Sequence, residues 1–162
     1  MPIVTIDELI KIKIMRKIII LLICVSFVFN AMAQIKDPVK WTTASRKKTN
    51  GYEVVITATL PKPWHIYSQN TGEGGPVATN FKFTKNPLVT FDGNVKEIGT
   101  LKENYDKLFD TKVKYYGDKV DFVQTVKVRG NVKTNVNVTV EYMTCDDSKC
   151  LPPTKKTFTV SL

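Results

Sequence analysis

From residue 41 to the C-terminus, apolar and polar side chains alternate in short runs broken by Gly, Pro and Asn. Neighbouring side chains on a strand point to opposite faces, so a short period-two run marks a strand with one buried face. Residues 51–60 (GYEVVITATL) are rich in β-branched side chains and stop at Pro61. In 80–84 (NFKFT), Phe81 and Phe83 share a face. Residues 113–116 (VKYY) run into Gly117-Asp118, and 120–128 (VDFVQTVKV) into Arg129-Gly130-Asn131, both read as turns. In 135–142, Val136, Val138, Val140 and Tyr142 face together, as do Phe158, Val160 and Leu162 in 156–162. Runs at intervals of about 8–12 residues with turn punctuation predict an all-β chain, an immunoglobulin-like antiparallel β-sandwich of about seven to nine strands. Only 95–106 has room for a helical turn or two. Between Pro61 and Pro87 stand Pro63, Gly72, Gly74, Gly75 and Pro76, a loop-rich stretch of the kind that is usually functional or disordered.

The first 33 residues lie outside this pattern. Met15 is followed by Arg16 and Lys17, the apolar run 18–29, and Ala31-Met32-Ala33. A basic segment, an apolar segment and a small-x-small triplet make a secretory signal peptide, cut after Ala33. The run is too short to cross a bilayer as a helix. A permanent N-terminal anchor is the competing reading. A lipoprotein signal at Cys24 is disfavoured, because Leu22-Ile23 offers no small residue beside the cysteine. Residues 1–14 read as a mis-assigned start. The expected organisation is a signal peptide at 1–33 and one sandwich domain at 34–162, periplasmic or otherwise exported. A sandwich of that length can bury an adequate core without a staple.

The whole chain carries 24 Lys and Arg against 15 Asp and Glu, a net charge of +9. The signal removes four basic residues (Lys11, Lys13, Arg16, Lys17) and two acidic ones (Asp7, Glu8), leaving 20 and 13, a net +7. The remaining lysines are scattered rather than gathered in a stripe, and no aromatic-plus-basic RNA motif stands among them. The charge therefore reads as a solvated surface, and nucleic acid is not an expected partner. No Gly-rich turn opens a helix, which removes the nucleotide-binding α/β folds. Export also changes the cysteine count. Cys24 leaves with the signal, and the remaining pair, Cys145 and Cys150, defaults to a disulfide in an oxidising compartment.

That pair sits in the most informative segment, 141–153 (EYMTCDDSKCLPP). Cys145 lies just past a strand, and Pro152-Pro153 follow Cys150, so the expected geometry is a hairpin whose connecting loop carries both cysteines. A bridge there closes a very small ring and contributes about 2 kcal/mol, less than one joining the two sheets. Tight, exposed disulfides tend to be the exchangeable ones. Three readings compete: a redox-active pair, favoured on spacing and position; a structural staple; and a metal site with the neighbouring aspartates. The last is weak, because His65 is the sole histidine and no second cysteine pair completes a tetrahedral set. The spacing is not the C-x-x-C of a thioredoxin. Asp146 and Asp147 disfavour a thiolate, while Lys149 beside Cys150 favours one, so Cys150 is expected to be the more reactive sulfur.

The run 140–153 (VEYMTCDDSKCLPP) resembles the active-site hairpin of the N-terminal periplasmic domain of the thiol:disulfide interchange protein DsbD family. Residues 63–68 (PWHIYS) are similar to that family's W-H-I-Y segment, and 109–116, Gly117 and 120–124 (VDFVQ) to its cap loop and following strand. The likeness spans about 41–162. It implies an immunoglobulin-like domain that takes electrons from a membrane thiol reductase through a thioredoxin-like domain. Such a domain passes them to exported clients such as disulfide isomerases and cytochrome-maturation thioredoxins. Cys145 and Cys150 would then be the catalytic pair, with Cys150 forming the mixed disulfides. An aromatic cap with Phe109 at its tip would shield them, and Tyr67 and His65 would line the site. His65 is also the side chain suited to titrate near neutral pH and tune the thiols. The resemblance further implies a component of a protein-disulfide reductase, without a cofactor, monomeric, and touching the membrane only through a partner.

The sequence departs from the family pattern twice. Family members are often one domain of a longer chain with membrane helices and a C-terminal thioredoxin-like domain. Neither is present in these 162 residues, so a stand-alone version with a separate membrane partner, or a truncated product, is expected. The family's cap often carries acidic residues just before the Phe; here Lys107 and Leu108 precede Phe109, flanked by Asp106 and Asp110. A function of another class competes, because a sandwich hosts many functions. It is a secreted binding module in which the bridge only pins a hairpin and the loop after Pro61 contacts ligand.

Overall fold

Residues 13–17, 37–130 and 132–162 are described by the structure, a computed structural model. The chain divides into units 1–36 and 37–162. In the first, 13–17 is helical. The apolar run 18–29, Cys24, the expected cut after Ala33 and residues 1–12 lie outside the described residues, as does Asn131. Among the described residues no helix is long and apolar enough to cross a membrane.

The second unit forms nine strands among the described residues: β1 (Lys40–Lys48), β2 (Gly51–Thr59), β3 (His65–Tyr67), β4 (Asn80–Phe83), β5 (Val89–Asp106), β6 (Thr111–Val128), β7 (Asn135–Tyr142), β8 (Thr144–Cys145) and β9 (Thr154–Ser161). One sheet runs β1-β2-β6-β3-β8, with β5 on the other edge of β6; the second runs β4-β7-β9. Every pairing is antiparallel. This is the immunoglobulin-like sandwich expected from the alternation. The inward faces supply the core: Val54, Ile56, Val120, Phe122 and Val126 from the larger sheet meet Val136, Val138, Val140, Tyr142 and Val160 from the smaller one. Trp41 joins the layers, with its ring 6.3 Å from Phe122, 5.0 Å from Tyr142 and 5.7 Å from Phe158.

Three expectations are corrected. Residues 95–106 hold no helical turn; they lie within β5, an 18-residue strand. Gly117-Asp118 does not turn the chain. β6 runs straight through it as a bulge, with Asp118 at φ 78° and a register shift against Gly99/Leu101 of β5. Bulges absorb extra residues while a strand continues. At this point β6 changes partner, from β3 (up to Gly117) to β2 (from Lys119). Finally, the cysteine segment is more than a hairpin loop. β7 and β9 do pair, but between them β8 leaves their sheet and joins β3 in the other one.

Candidate functional site

The site is built on the face of the larger sheet that points away from the core. Alternation puts Ile66 and Tyr116 into the main core and turns Tyr67, Val113 and Tyr115 to the opposite face. There Tyr67, Val113 and Cys145 form a second buried cluster, with Phe109, Tyr115, Met143 and Cys150 packed against it. β3 holds the centre of this face. His65 is the register partner of Gly117 on one side and of Cys145 on the other.

Cys145 and Cys150 are joined by a disulfide. The two sulfurs sit in unlike surroundings. Cys145 is 1% exposed within the β3–β8 ladder; Cys150 is half-buried and meets Cys145 through an isolated bridge. The intervening loop is closed by Asp146 N–H donating to the Lys149 carbonyl (2.9 Å) and Leu151 N–H donating to the Thr144 carbonyl (2.9 Å). The Asp146 carboxylate organises the turn, accepting from Ser148 N–H (2.8 Å), Ser148 Oγ–H (2.9 Å) and Lys149 N–H (2.9 Å). The Ser148 N–H, then its hydroxyl and the Lys149 N–H and charge, hold the Asp146 carboxyl below its ordinary value. Lys149 Nζ lies 5.9 Å from the centre of the Trp64 ring, a cation–π contact.

The long β5–β6 ribbon carries its four-residue turn, 107–110, over this cluster. Phe109 meets the Tyr67 ring edge-on at 6.3 Å. Tyr67 is fully buried, and its hydroxyl donates to Asp106 Oδ2 (3.3 Å) at the base of the turn, while His65 Nε2 lies 3.3 Å from the Tyr67 hydroxyl oxygen. Asp106 also accepts Leu108 N–H (2.8 Å). Burial first, and then the Asp106 charge, push the Tyr67 phenol well above its usual value, so it acts only as a neutral hydroxyl. Burial likewise pushes His65 below its ordinary value. The Pro63 carbonyl and the charges of Asp106, Asp147 and Asp146 pull the other way.

These features combine a covalent sulfur pair, one buried and one half-buried, with an aromatic turn packed against the same cluster. Residues 34–162 match the family described as "Thiol:disulfide interchange protein DsbD, N-terminal". The chain belongs to this DsbD N-terminal family.

Three solved structures are similar. The N-terminal periplasmic domain of ScsB from Proteus mirabilis is 18% identical, with a TM-score of 0.56 over 79% of this chain and 48% of that one. The complex between the DsbD N-terminal and the PilB N-terminal domains from Neisseria meningitidis gives 12% identity and a TM-score of 0.50, over 80% of this chain and 87% of that one. The Neisseria meningitidis DsbD N-terminal domain in the reduced form gives 15% and 0.49, over 75% and 84%. A search of curated proteins finds no match.

On this DsbD N-terminal fold, the residues singled out in the sequence come together. Cys145, Cys150, Phe109, Tyr67 and His65 share one face, and Asp146, Asp147 and Lys149 form the loop between the sulfurs. The sequence reading missed Tyr115, whose ring lies 4.7 Å from His65 and whose hydroxyl accepts from Asn104 Nδ2 (2.9 Å). It also missed Met143, and Asp106 as an anchor for Tyr67. Strand parity was the available signal: Val113, Tyr115 and Gly117 alternate on one face, and Met143 stands two residues before Cys145.

Proposed function

We propose that residues 34–162, freed of a signal peptide at 1–33, act in the periplasm as a thiol–disulfide interchange domain with Cys145 and Cys150 as the redox pair. One observation supports this reading: a bond between a buried and a half-buried sulfur shares one cluster with Phe109 of the β5–β6 turn. A donor thiolate attacks Cys150 Sγ, the less buried of the two sulfurs. The Cys145–Cys150 bond breaks and its electron pair goes to Cys145, which takes up a proton. The donor's second thiol then attacks the donor sulfur of the mixed disulfide and releases Cys150, leaving the domain reduced and the donor oxidised. Onward transfer runs in the opposite sense. Cys150 thiolate attacks a client disulfide, and Cys145 then attacks Cys150 Sγ, which regenerates the bond and frees the reduced client.

In this reading Phe109 is the cap that keeps small oxidants and thiols from the bond, and Tyr67 with His65 forms the wall it closes on. Asp146, Asp147 and Lys149 set the charge around the half-buried sulfur of Cys150. The donor is a thioredoxin-like domain fed by a membrane thiol reductase, and the protein works as a monomer that meets the membrane through that partner. The Neisseria complex supports docking of another protein's domain on a fold of this kind. The deciding measurement is the reduction potential against a glutathione or thioredoxin buffer. A value above about −300 mV supports exchange. A lower one, with no reduction by thioredoxin, assigns the bridge to structure and the chain to the binding-module class.

A further inference from the structure

Where β4 ends the smaller sheet and β5 ends the larger one, the edge of the sandwich stays open as a cleft of about 420 Å3. Its floor is the half-buried rings of Phe81, Phe83 and Phe91, with Phe83 and Phe91 4.6 Å apart. Its rim carries the amides of Asn70, Asn80 and Asn94. No Asp, Glu, Lys or Arg lines it, although such residues make up 24% of the chain. Asn86 and Asn104 spend their side-chain amides on protein partners. Among the described residues, the side-chain amides of the three rim asparagines make no such bond. The walls are fixed in advance. Gln124, 3% exposed, donates to the carbonyls of Asp92 (3.1 Å) and Gly93 (3.2 Å), and Gln69 donates to that of Val95 (3.2 Å). Together they hold the β5 bulge that shapes one side.

We propose that this cleft between β4 and β5 binds a short uncharged carbohydrate. A pyranose ring offers a C–H face that packs on aromatic rings and an edge of hydroxyls, each both donor and acceptor. A side-chain amide likewise carries both roles. The size falls within the ~300–1,000 Å3 range of small-ligand pockets, and three aromatic rings set among five side-chain amides offer both kinds of contact. The lack of charge selects against uronic or sialic acids, whose carboxylates would meet no cation. The cleft opens at the inward side of the larger sheet, where Gln124 shares a face with Phe122 and Val126, whereas the disulfide lies on the opposite face. Sugar binding and thiol exchange are therefore separate properties.

The test is titration of the 15N-labelled protein with maltotriose and with chitotriose, followed by NMR. Trigalacturonate and trialanine serve as the charged and peptide comparisons. At least one neutral trisaccharide should shift the side-chain amide signals of Asn70, Asn80 and Asn94 saturably. Asn80→Ala and Asn94→Ala should each weaken it about tenfold, the effect of losing about one hydrogen bond, with the remaining spectrum unchanged. No saturable shift with either neutral sugar overturns the proposal. So does binding that both variants leave intact, or an equal response to trigalacturonate or trialanine.

Discussion

His65 lies directly opposite Cys145 in the β3–β8 ladder, so the single histidine of the sequence shares a sheet face with the buried sulfur. Burial lowers its pKa from the ordinary value of 6.5, against the pull of the Pro63 carbonyl and of Asp106, Asp147 and Asp146. The unfolded chain thus takes up a proton at a pH where the folded chain does not. Stability should be greatest above about pH 6.5 and fall as pH drops from there through the folded value. Melting temperatures across that interval check this. His65→Gln should flatten the slope, and an unchanged slope would remove His65 as its source.

The unequal surroundings of the two sulfurs predict unequal trapping. Cys145→Ser leaves Cys150 free and should accumulate mixed disulfides with a thioredoxin-like partner, visible on non-reducing gels. Cys150→Ser leaves only the buried sulfur and should trap little. Equal trapping by both variants would contradict the assignment of Cys150 as the attacked atom.

Phe109→Ala removes the ring that meets Tyr67. Reduction of the Cys145–Cys150 bond by glutathione should accelerate about tenfold or more, while stability stays within about 1 kcal/mol of the parent, because the ring is only half-buried. Stopped-flow reduction and chemical melts read the two quantities separately. A rate equal to that of the parent would mean the turn does not shield the bond.

At the start of the domain, Asp37 accepts from Val39 N–H (3.0 Å), from the Tyr142 hydroxyl and from Lys156. Burial raises its pKa, but the bonds from Lys156, Tyr142 and Val39 outweigh that and hold it below 3.8 overall. Its stabilising effect is present above the unfolded carboxylate value and is lost as pH falls through the folded one. Tyr142→Phe should cost about 1 kcal/mol and Asp37→Ala about 2 kcal/mol. The double variant should lose less than their sum, since the two share a bond. Strict additivity in denaturant melts would refute the coupling.

The legible parts of the fold were those where one face is buried and the other solvated. β4, β7 and β9 announce themselves by alternation and β2 by its β-branched side chains before Pro61, and Val136, Val138, Val140 and Tyr142 are indeed all buried. β1 gave no signal because nearly every side chain on it is exposed. Residues 95–106 had room for a helical turn or two in the sequence, where Val95, Ile98, Leu101 and Tyr105 stand three to four positions apart. In the structure Glu97 takes an inward position, accepting from Ser68 Oγ–H (2.6 Å), Gln69 N–H (2.7 Å) and the Tyr116 hydroxyl (3.0 Å). Ile98 points outward, 59% exposed. A carboxylate turned in and an isoleucine turned out invert the usual code. At the site, the cysteine spacing and the W-H-I-Y segment were readable. The contacts of Asp106 and Tyr115 were not, because they depend on how far the β5–β6 ribbon reaches past the sandwich.

The crossing of β8 from one sheet to the other gives the two sulfurs different mechanical fates. Cys145 is anchored in a ladder that does not depend on the sulfur–sulfur bond. Cys150 rests on a short loop closed by two backbone hydrogen bonds. Cutting the bond would leave Cys145 as a fixed mooring and turn Cys150 into a tether. A protein joined to Cys150 would then hang from that short loop, with Cys145 held a few ångströms away as the point of release.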